Sequence, residues 1–113
     1  MREAARLRRT TDVQRARREG TSRGDRMYLV TIVGSLAPTS RLAVSVPKHL
    51  GSAVTRNRAR RRARAAFGPL LPRLAPPSDV LVTVRAPAVG APFADLVASA
   101  ETLLAERGLS ARQ

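Results

Sequence analysis

The stretch AVTRNRARRRARAAF spans Ala53 to Phe67 and holds six arginines between positions 56 and 64, with no acidic residue among them. A helix, which turns about 100° per residue, would place four of its apolar residues on one narrow stripe: Ala59, Ala63, Ala66 and Phe67. The arginines would fill most of the remaining arc, with Arg58, Arg61 and Arg62 on the outer side. Ser52 can cap this helix and Gly68 can end it. The stretch therefore predicts a helix that lies on a sheet through small alanines and presents a cationic surface.

The charge around this helix is strongly one-sided. The chain of 113 residues carries 21 Lys and Arg against 8 Asp and Glu, a net charge of +13, and no carboxylate occurs between Asp25 and Asp79. Pairs such as Arg56/Arg60 and Arg60/Arg64 repel each other one turn apart, by roughly a few tenths of a kcal/mol per pair. A partner outside the chain should therefore supply the negative charge, as nucleic acid does.

Four other interpretations of the basic run were weighed. A solvated helix would usually intersperse glutamates, and a nuclear localisation signal would normally lie in a disordered segment. A membrane-surface helix needs a broader apolar face than alanines provide. A DNA-reading helix needs more varied side chains, whereas a nearly pure arginine surface favours contact with a nucleic-acid backbone and its shape.

Outward from the helix, the hydrophobic patterns predict a small α+β domain. Thr10 or Thr11 can cap a short first helix that Gly20 ends, and Arg56 is expected to reach past the end of its own helix. The remaining predicted elements are strands at 27–34, 41–47 and 79–87 and a second long helix within 91–108. The first two strands could form a hairpin with a six-residue loop, which would leave Arg26 and Arg41 near strand ends on an exposed side. The order α-β-β-α-β-α predicts a two-layer sandwich with helices on one side of the sheet.

One domain is expected at residues 10–108, between a disordered basic segment at 1–9 and a tail at 109–113. The chain has no cysteine and one histidine, His49, which excludes thiolate and multi-histidine metal sites. No apolar run approaches the roughly 20 residues needed to span a bilayer, so we expect a cytoplasmic protein without membrane contact. We identify no catalytic residue in the polypeptide and no metal ligand, since paired carboxylates and a Gly-rich phosphate loop are both missing.

The segment RLAVSVPKHLGSAVTRNRARRRARAAF resembles the signature of the protein component of bacterial ribonuclease P, in which a strand and a basic turn precede Arg-Asn-Arg and a basic helix. DVQRARREGT and DVLVTVRAPA resemble the short helix and last strand of that family. The resemblance covers about residues 6–105. It implies a fold like domain 2 of ribosomal protein S5, a mixed sheet with a left-handed βαβ crossover. It also implies an accessory subunit, because in this family an RNA subunit cleaves precursor tRNA with Mg²⁺.

Site residues follow from the resemblance together with the charge pattern: the family motif matches Lys48, Arg56, Asn57, Arg58, Arg61 and Arg64, and charge adds His49, Arg60 and Arg62 and, for the leader, Arg15. The expected RNA-binding set comprises Lys48, His49, Arg56, Asn57, Arg58, Arg60, Arg61, Arg62 and Arg64. Residues expected to line a cleft for the 5′ leader of precursor tRNA are Val13, Arg15, Arg17 and Thr31. Relatives often place aromatic residues at positions 13, 17 and 31, and their absence here shifts leader contact from base stacking toward arginine charge. Pro47 and His49 stand where the family usually has Ser and Lys.

The resemblance thus implies that the protein binds the catalytic RNA and the leader, raises substrate and metal affinity, and leaves Mg²⁺ bound mainly by the RNA. His49 can act as one more donor beside Lys48 or as an exposed turn residue, and Asn57 can bond locally or to RNA. The alternative is a ribosomal or general RNA-binding protein without a processing role. A DNA-binding regulator is a third hypothesis, although no DNA partner is expected.

Overall fold

The protein is described here by a computed structural model that covers residues 6–7 and 9–105. Its helices and strands are α1 (Thr10–Glu19), β1 (Thr21–Gly24), β2 (Tyr28–Gly34), β3 (Arg41–Ser45), α2 (Ala53–Phe67), β4 (Ser78–Val84), α3 (Ala86–Val89) and α4 (Phe93–Leu104), with 3-10 turns at Lys48–Leu50 and Gly68–Arg73. The predicted long helices and apolar strands are present. The predicted tail at 109–113 lies outside the described residues.

Some local details differ from expectation. Thr10 is the first helical residue of α1, and Arg9 occupies the cap position without a side-chain hydrogen bond. Strand β1 was not predicted because its sequence, TSRG, is polar and does not alternate. Short helix α3 was also missed, since four residues are too few for a periodic pattern.

The sheet order is β1-β2-β4-β3, so the predicted hairpin between β2 and β3 is wrong. Strand β4 lies between them, antiparallel to β2 and parallel to β3. Strands that are consecutive in the sequence often pair, but an interior position in a sheet suits a strand that is buried on both faces. Six of the seven residues of β4 are buried, so β4 fits between β2 and β3. Helix α2 therefore lies in a βαβ crossover between parallel neighbours. The hand of this crossover stays a prediction from the resemblance.

One face of the sheet, called here the closed face, packs against α2 and α4. Tyr28, Val30 and Ile32 alternate along β2, and Val80, Val82 and Val84 alternate along β4, to form one apolar cluster with residues of both helices. The predicted stripe is confirmed, because Ala59, Ala63, Ala66 and Phe67 are all buried. The Phe67 ring meets Tyr28 edge to face, with 5.1 Å between ring centroids. This contact fixes α2 on the sheet and turns its other side outward.

The opposite face, called here the open face, carries α1. Arg41 precedes the core residue Leu42 by one position, so its side chain belongs to the open face, and there it bonds to Asp12 of α1. Ala16 of α1 is fully buried, yet it lies outside the closed-face cluster. The prediction that the helices lie on one side of the sheet is therefore correct for α2 and α4 and wrong for α1. The sequence of α1 has too few apolar residues to indicate which face of the sheet it contacts.

Most of the segment predicted to be disordered, residues 1–9, lies outside the described residues, but two residues within it contact β3. Leu7 donates its backbone N–H to the carbonyl of Leu42 at 2.8 Å, and Arg6 bridges Leu42 in parallel register. Leu7 is only 5% exposed. An apolar side chain next to the otherwise unpaired edge of β3 explains this attachment.

Candidate nucleic-acid interface

The start of α2 is built by two small residues. Ser52 caps the helix, with its Oγ accepting a hydrogen bond from the backbone N–H of Thr55 at 3.2 Å. Gly51 has φ of 143°, and a Cβ there would lie 3.0 Å from the Thr55 methyl group. Glycine is therefore required at this turn, which directs the chain from β3 and the Lys48–Leu50 turn into the arginine helix.

Most polar side chains of α2 lie away from its buried alanine stripe. Asn57, Arg58 and Arg61 are exposed, whereas Arg56, Arg60 and Arg64 are half-buried along the flanks. Small alanines below the helix hold its axis close to the sheet, so these long side chains form the outer layer of the protein there. The sequence prediction of a cationic surface on α2 is confirmed in its position.

Two of these arginines make local bonds that orient them without cancelling their charge. Arg60 donates to Oδ1 of Asn57 at 2.8 Å, and Arg56 donates through Nε to the carbonyl of Gly51 at 3.2 Å. Arg56 therefore reaches past the start of the helix, as predicted, and of the two options for Asn57 the structure shows the local bond. Both acceptors are neutral, so the positive charge remains available to a partner.

Arg62 departs from the prediction that it covers the outer side. Its guanidinium is half-buried and donates to the carbonyl oxygens of Ala88, Val89 and Ala91. These carbonyls belong to α3 and the turn that follows it, some 26 residues along the chain. A helical projection cannot reveal such distant acceptors. Arg62 thus ties α2 to the segment leading into α4, and its place in the predicted RNA-binding set stays a prediction.

Lys48 and His49 occupy the 3-10 turn immediately before α2, and both side chains are exposed. The turn contacts α2, so the two basic residues continue the helix surface beyond its N-terminus. The first-turn N–H groups and the helix dipole add positive potential at the same end. Apart from Arg62, the predicted RNA-binding residues therefore lie on α2 and the turn that leads into it, and they are called here the arginine face: Lys48, His49, Arg56, Asn57, Arg58, Arg60, Arg61 and Arg64.

The predicted leader-cleft residues are placed around α1 and β2. Arg17 is exposed and Val13 half-buried one turn before it. Arg15 donates to the carbonyl of Gly34 at 3.1 Å and also contacts Glu19 at 3.4 Å. Thr31 is only 8% exposed, and its Oγ1 lies 2.9 Å from Oγ of Ser22. Val13, Arg15 and Arg17 thus lie at the surface, whereas Thr31 offers little surface to a ligand.

The open face also has a partly exposed floor that the sequence analysis did not single out. Strand register aligns Thr83 with Leu29 on one side and Ser45 on the other, and Leu81 with Ala43. Leu29, Ala43, Ser45 and Thr83 are half-buried, and they are called here the open strip. The alternation of β2, β3 and β4 could have indicated this face, had the strand order been known.

Three charged groups join α1 to the sheet at the other end of the open face. Arg41 donates to Asp79 through Nε at 2.9 Å and through a terminal nitrogen at 2.8 Å, and to Asp12 at 3.3 Å. The hydrogen bond to Asp79 is the main cause of a raised pKa for Arg41. Asp79 is fully buried, so Arg41 is engaged internally. The expectation of an exposed side is therefore wrong for Arg41, whose side chain is 17% exposed, and correct for Arg26.

A different polar cluster lies beside α4. Asp25 accepts hydrogen bonds from the backbone N–H groups of Met27 and Tyr28 at 2.8 and 3.0 Å and from the Ser99 hydroxyl at 2.5 Å. Burial acts to raise the pKa of Asp25, but these hydrogen bonds, Ser99 first, together lower it below 3.8. Burial also raises the pKa of Tyr28 to about 12. Asp25 thus fixes the turn between β1 and β2.

Among residues 6–7 and 9–105, no three His, Cys, Asp or Glu side chains lie close enough together to hold a metal ion. Over the same residues, every helix is too short or too polar to cross a membrane.

The fold and the arginine face together define a class: a small α+β protein with one surface suited to a polyanion such as RNA. Comparison with known proteins narrows this class. The family model for ribonuclease P matches residues 1–107. The ribonuclease P protein component of Chloroflexus aurantiacus is 42% identical over 97 residues, which is 85% of this chain and 72% of the relative. That of Symbiobacterium thermophilum is 33% identical over 100% of this chain and 99% of its own.

Solved structures agree with the sequence relatives. The ribonuclease P protein of Staphylococcus aureus superposes with a TM-score of 0.82 at 28% identity, covering 96% of this chain and 100% of the other. The protein from Thermotoga maritima, at 24% identity and a TM-score of 0.79, shares the fold. The chain belongs to the ribonuclease P protein component family. It is therefore an accessory subunit of an RNA-binding ribonucleoprotein that processes tRNA, and the predicted family and fold class are confirmed.

Proposed function

We propose that the arginine face binds the catalytic RNA subunit, while α1 and the open strip contact the 5′ leader of precursor tRNA. One observation carries the first half. The interval 26–78 contains no carboxylate, and the described hydrogen bonds of Arg56, Arg60 and Arg62 go to neutral oxygens. The positive charge of these three arginines is therefore left for a polyanion.

Docking on the RNA is electrostatic in this proposal. Exposed Arg58 and Arg61 present planar guanidinium groups that suit bidentate contact with phosphate oxygens. Each neutralised phosphate releases condensed counterions, so binding weakens steeply with salt. The nearly uniform arginine composition matches recognition of backbone geometry better than recognition of base edges. RNA is accordingly favoured over a specific DNA site.

Leader contact rests on the charge and shape of the open face. Arg17 and Arg15 lie at the surface of α1, and the open strip provides a partly exposed floor beside that helix. No aromatic side chain stands at positions 13, 17 or 31, so base stacking from these positions is not available. Contact with the leader backbone would therefore depend little on sequence.

The proposal places Mg²⁺ mainly on the RNA subunit. Cations of the protein would lower the repulsion between closely packed RNA phosphates and so raise the apparent affinity of the RNA for Mg²⁺. The chain has no cysteine, which suits a reducing compartment, and its proposed partner is RNA. For both reasons we place the holoenzyme in the cytoplasm.

Reconstitution with purified ribonuclease P RNA tests this function. At low Mg²⁺, adding the chain should increase cleavage of precursor tRNA at the 5′ end of the mature sequence. Arg61→Ala and Asn57→Ala should each lose much of that increase, the second because Arg60 loses its acceptor. Arg26→Ala, an exposed arginine outside α2, is the matched control.

The outcomes separate the alternatives. No gain in cleavage on adding the chain would favour a general RNA-binding role instead. Unchanged gain with both α2 variants would contradict the arginine face as the docking surface. Tight binding to duplex DNA with sequence selectivity would support a DNA-binding regulator.

A further inference from the structure

We propose that Asp12, Arg41 and Asp79 form a positioning cluster that holds α1 over the open face in the place that leader contact requires. The proposal rests on the leader contact proposed above. It concerns residues that touch neither RNA directly but set where Val13, Arg15 and Arg17 lie.

Helix α1 itself has few other anchoring contacts among the described residues, although the chain just before it is attached to β3 through Leu7. It is 10 residues long, lacks a side-chain cap, and buries only Ala16 completely. A helix of this length is marginal in water and takes its stability from tertiary contacts. One hydrogen bond, from Arg15 to the carbonyl of Gly34, ties its later turns to the end of β2. In its first turn, the contact of Asp12 with Arg41 links the helix directly to the sheet and adds to the attachment of Leu7 just before the helix.

The geometry of Arg41 suits it to this task. Its Nε and one terminal nitrogen grip both oxygens of Asp79, while the other terminal nitrogen reaches Asp12. Asp79 is fully buried in the central strand and fixes the guanidinium plane, and the Arg41 and Asp12 side chains are each 17% exposed. Such shielding strengthens the pair relative to a surface ion pair. The planar guanidinium of Arg41 thus fixes the position of α1 relative to β4.

The cluster also differs in sign from the chain as a whole. Two carboxylates surround one guanidinium, so by formal charge it is net negative in a chain of net charge +13. Removing the Asp12 charge would strengthen RNA binding if electrostatic attraction alone mattered. A positioning role predicts the opposite result, because a displaced α1 would present its arginines wrongly. The sign of the effect therefore separates the two explanations.

The test uses the reconstituted holoenzyme with Asp12→Asn. Substrate affinity is compared for precursor tRNAs with a long leader and with a one-nucleotide leader, and the ratio gives the gain due to the leader. Asp12→Asn should reduce this gain several-fold while leaving affinity for the RNA subunit unchanged, since α2 is untouched. Deuterium exchange of the α1 amides should become faster, with β4 unaffected.

The chain offers a closely matched control. Asp95 is an exposed carboxylate in the first turn of α4, and it forms no ion pair with another described residue. Asp95→Asn removes the same charge and the same favourable interaction with a helix dipole. It should leave the leader gain and the α1 exchange rates at their wild-type values.

Arg41→Lys provides a second variant. The charge is kept, but one ammonium cannot reproduce the two-sided fork. The leader gain should fall as it does for Asp12→Asn, and adding Asp12→Asn to this variant should change little further.

Three results would overturn the proposal. Tighter leader binding by Asp12→Asn would mean that the carboxylate acts only by repulsion. A leader gain equal to that of Asp95→Asn would mean that the cluster has no role in positioning. If the wild-type holoenzyme shows no leader gain, the proposed leader contact is refuted, and this inference with it. This failure is recognisable because the leader gain is then missing even without a substitution.

Discussion

Helices α1 and α2 are both rich in arginine, yet they use it differently. On α1, Arg15 and Arg18 contact Glu19, and Asp12 contacts Arg41 of the sheet. On α2, Arg56, Arg60 and Arg62 bond to neutral oxygens, and no carboxylate occurs in the sequence between 26 and 78. Where carboxylates accompany arginine, the charge organises the protein itself. Where they are missing, these three guanidinium groups keep neutral partners, and their charge serves the RNA in the proposal made above.

The two helices also differ in how they are anchored, and this gives the largest expected effect. Phe67 is fully buried against Tyr28, so Phe67→Ala should lower the free energy of unfolding by about 3–5 kcal/mol. Ala16→Gly, at the fully buried contact of α1, should lower it by about 1 kcal/mol. Urea denaturation measures both. Equal losses would contradict the view that α2 is part of the core and α1 is only attached to it.

The next effect concerns the docking surface. Arg58→Ala combined with Arg61→Ala should weaken binding to the RNA subunit roughly 100-fold, because each charge-assisted hydrogen bond contributes about 1.5 kcal/mol or more. The slope of log K against log salt should shrink by about 1.4–1.8. Filter binding over a salt series measures both quantities.

The matched control for this double variant is Arg18→Ala combined with Arg26→Ala, two exposed arginines outside α2. It removes the same charge and should weaken RNA-subunit binding far less. If both double variants lost the same affinity, net charge rather than the arginine face would govern docking.

Within α2, Arg62 and Arg61 are expected to differ in their contribution to stability. Arg62→Ala should lower the free energy of unfolding by about 2 kcal/mol, since three carbonyls lose a charged donor. The adjacent exposed variant, Arg61→Ala, should change stability by no more than about 0.5 kcal/mol. Thermal or urea unfolding distinguishes them. If Arg62→Ala kept its stability but lost much of its affinity for the RNA subunit, Arg62 would instead be a direct RNA contact.

The smallest effect is expected from the exposed ion pairs of α1. Glu19 lies 3.4 Å from Arg15 and 3.8 Å from Arg18 at the surface. Glu19→Gln should change the free energy of unfolding by less than about 1 kcal/mol, and the difference should vanish at high salt. Urea denaturation at two salt concentrations measures this. A salt-independent loss above that range would assign Glu19 a share in holding α1.

The sequence reveals local patterns well and distant partners poorly. The alanine stripe of α2, its Ser52 cap and the reach of Arg56 all follow from spacing within a few residues, and the structure confirms them. The partners of Arg62 and Arg41 lie about 26 to 38 residues away, so no helical or strand period could indicate them. The parallel pairing of β3 with β4 escaped prediction for the same reason.

The claim that α2 faces the catalytic RNA while α1 faces the leader can be tested with a single measurement. The chain has no cysteine, so one introduced cysteine carries one hydroxyl-radical probe. Ala65→Cys places it on the exposed side of α2, and Gln14→Cys on the exposed side of α1. In the holoenzyme with bound precursor tRNA, the first probe should cut the RNA subunit and the second should cut the leader. The account would be contradicted if the probe at position 65 cut the leader. It would also be contradicted if the probe at position 14 cut only the RNA subunit and not the leader.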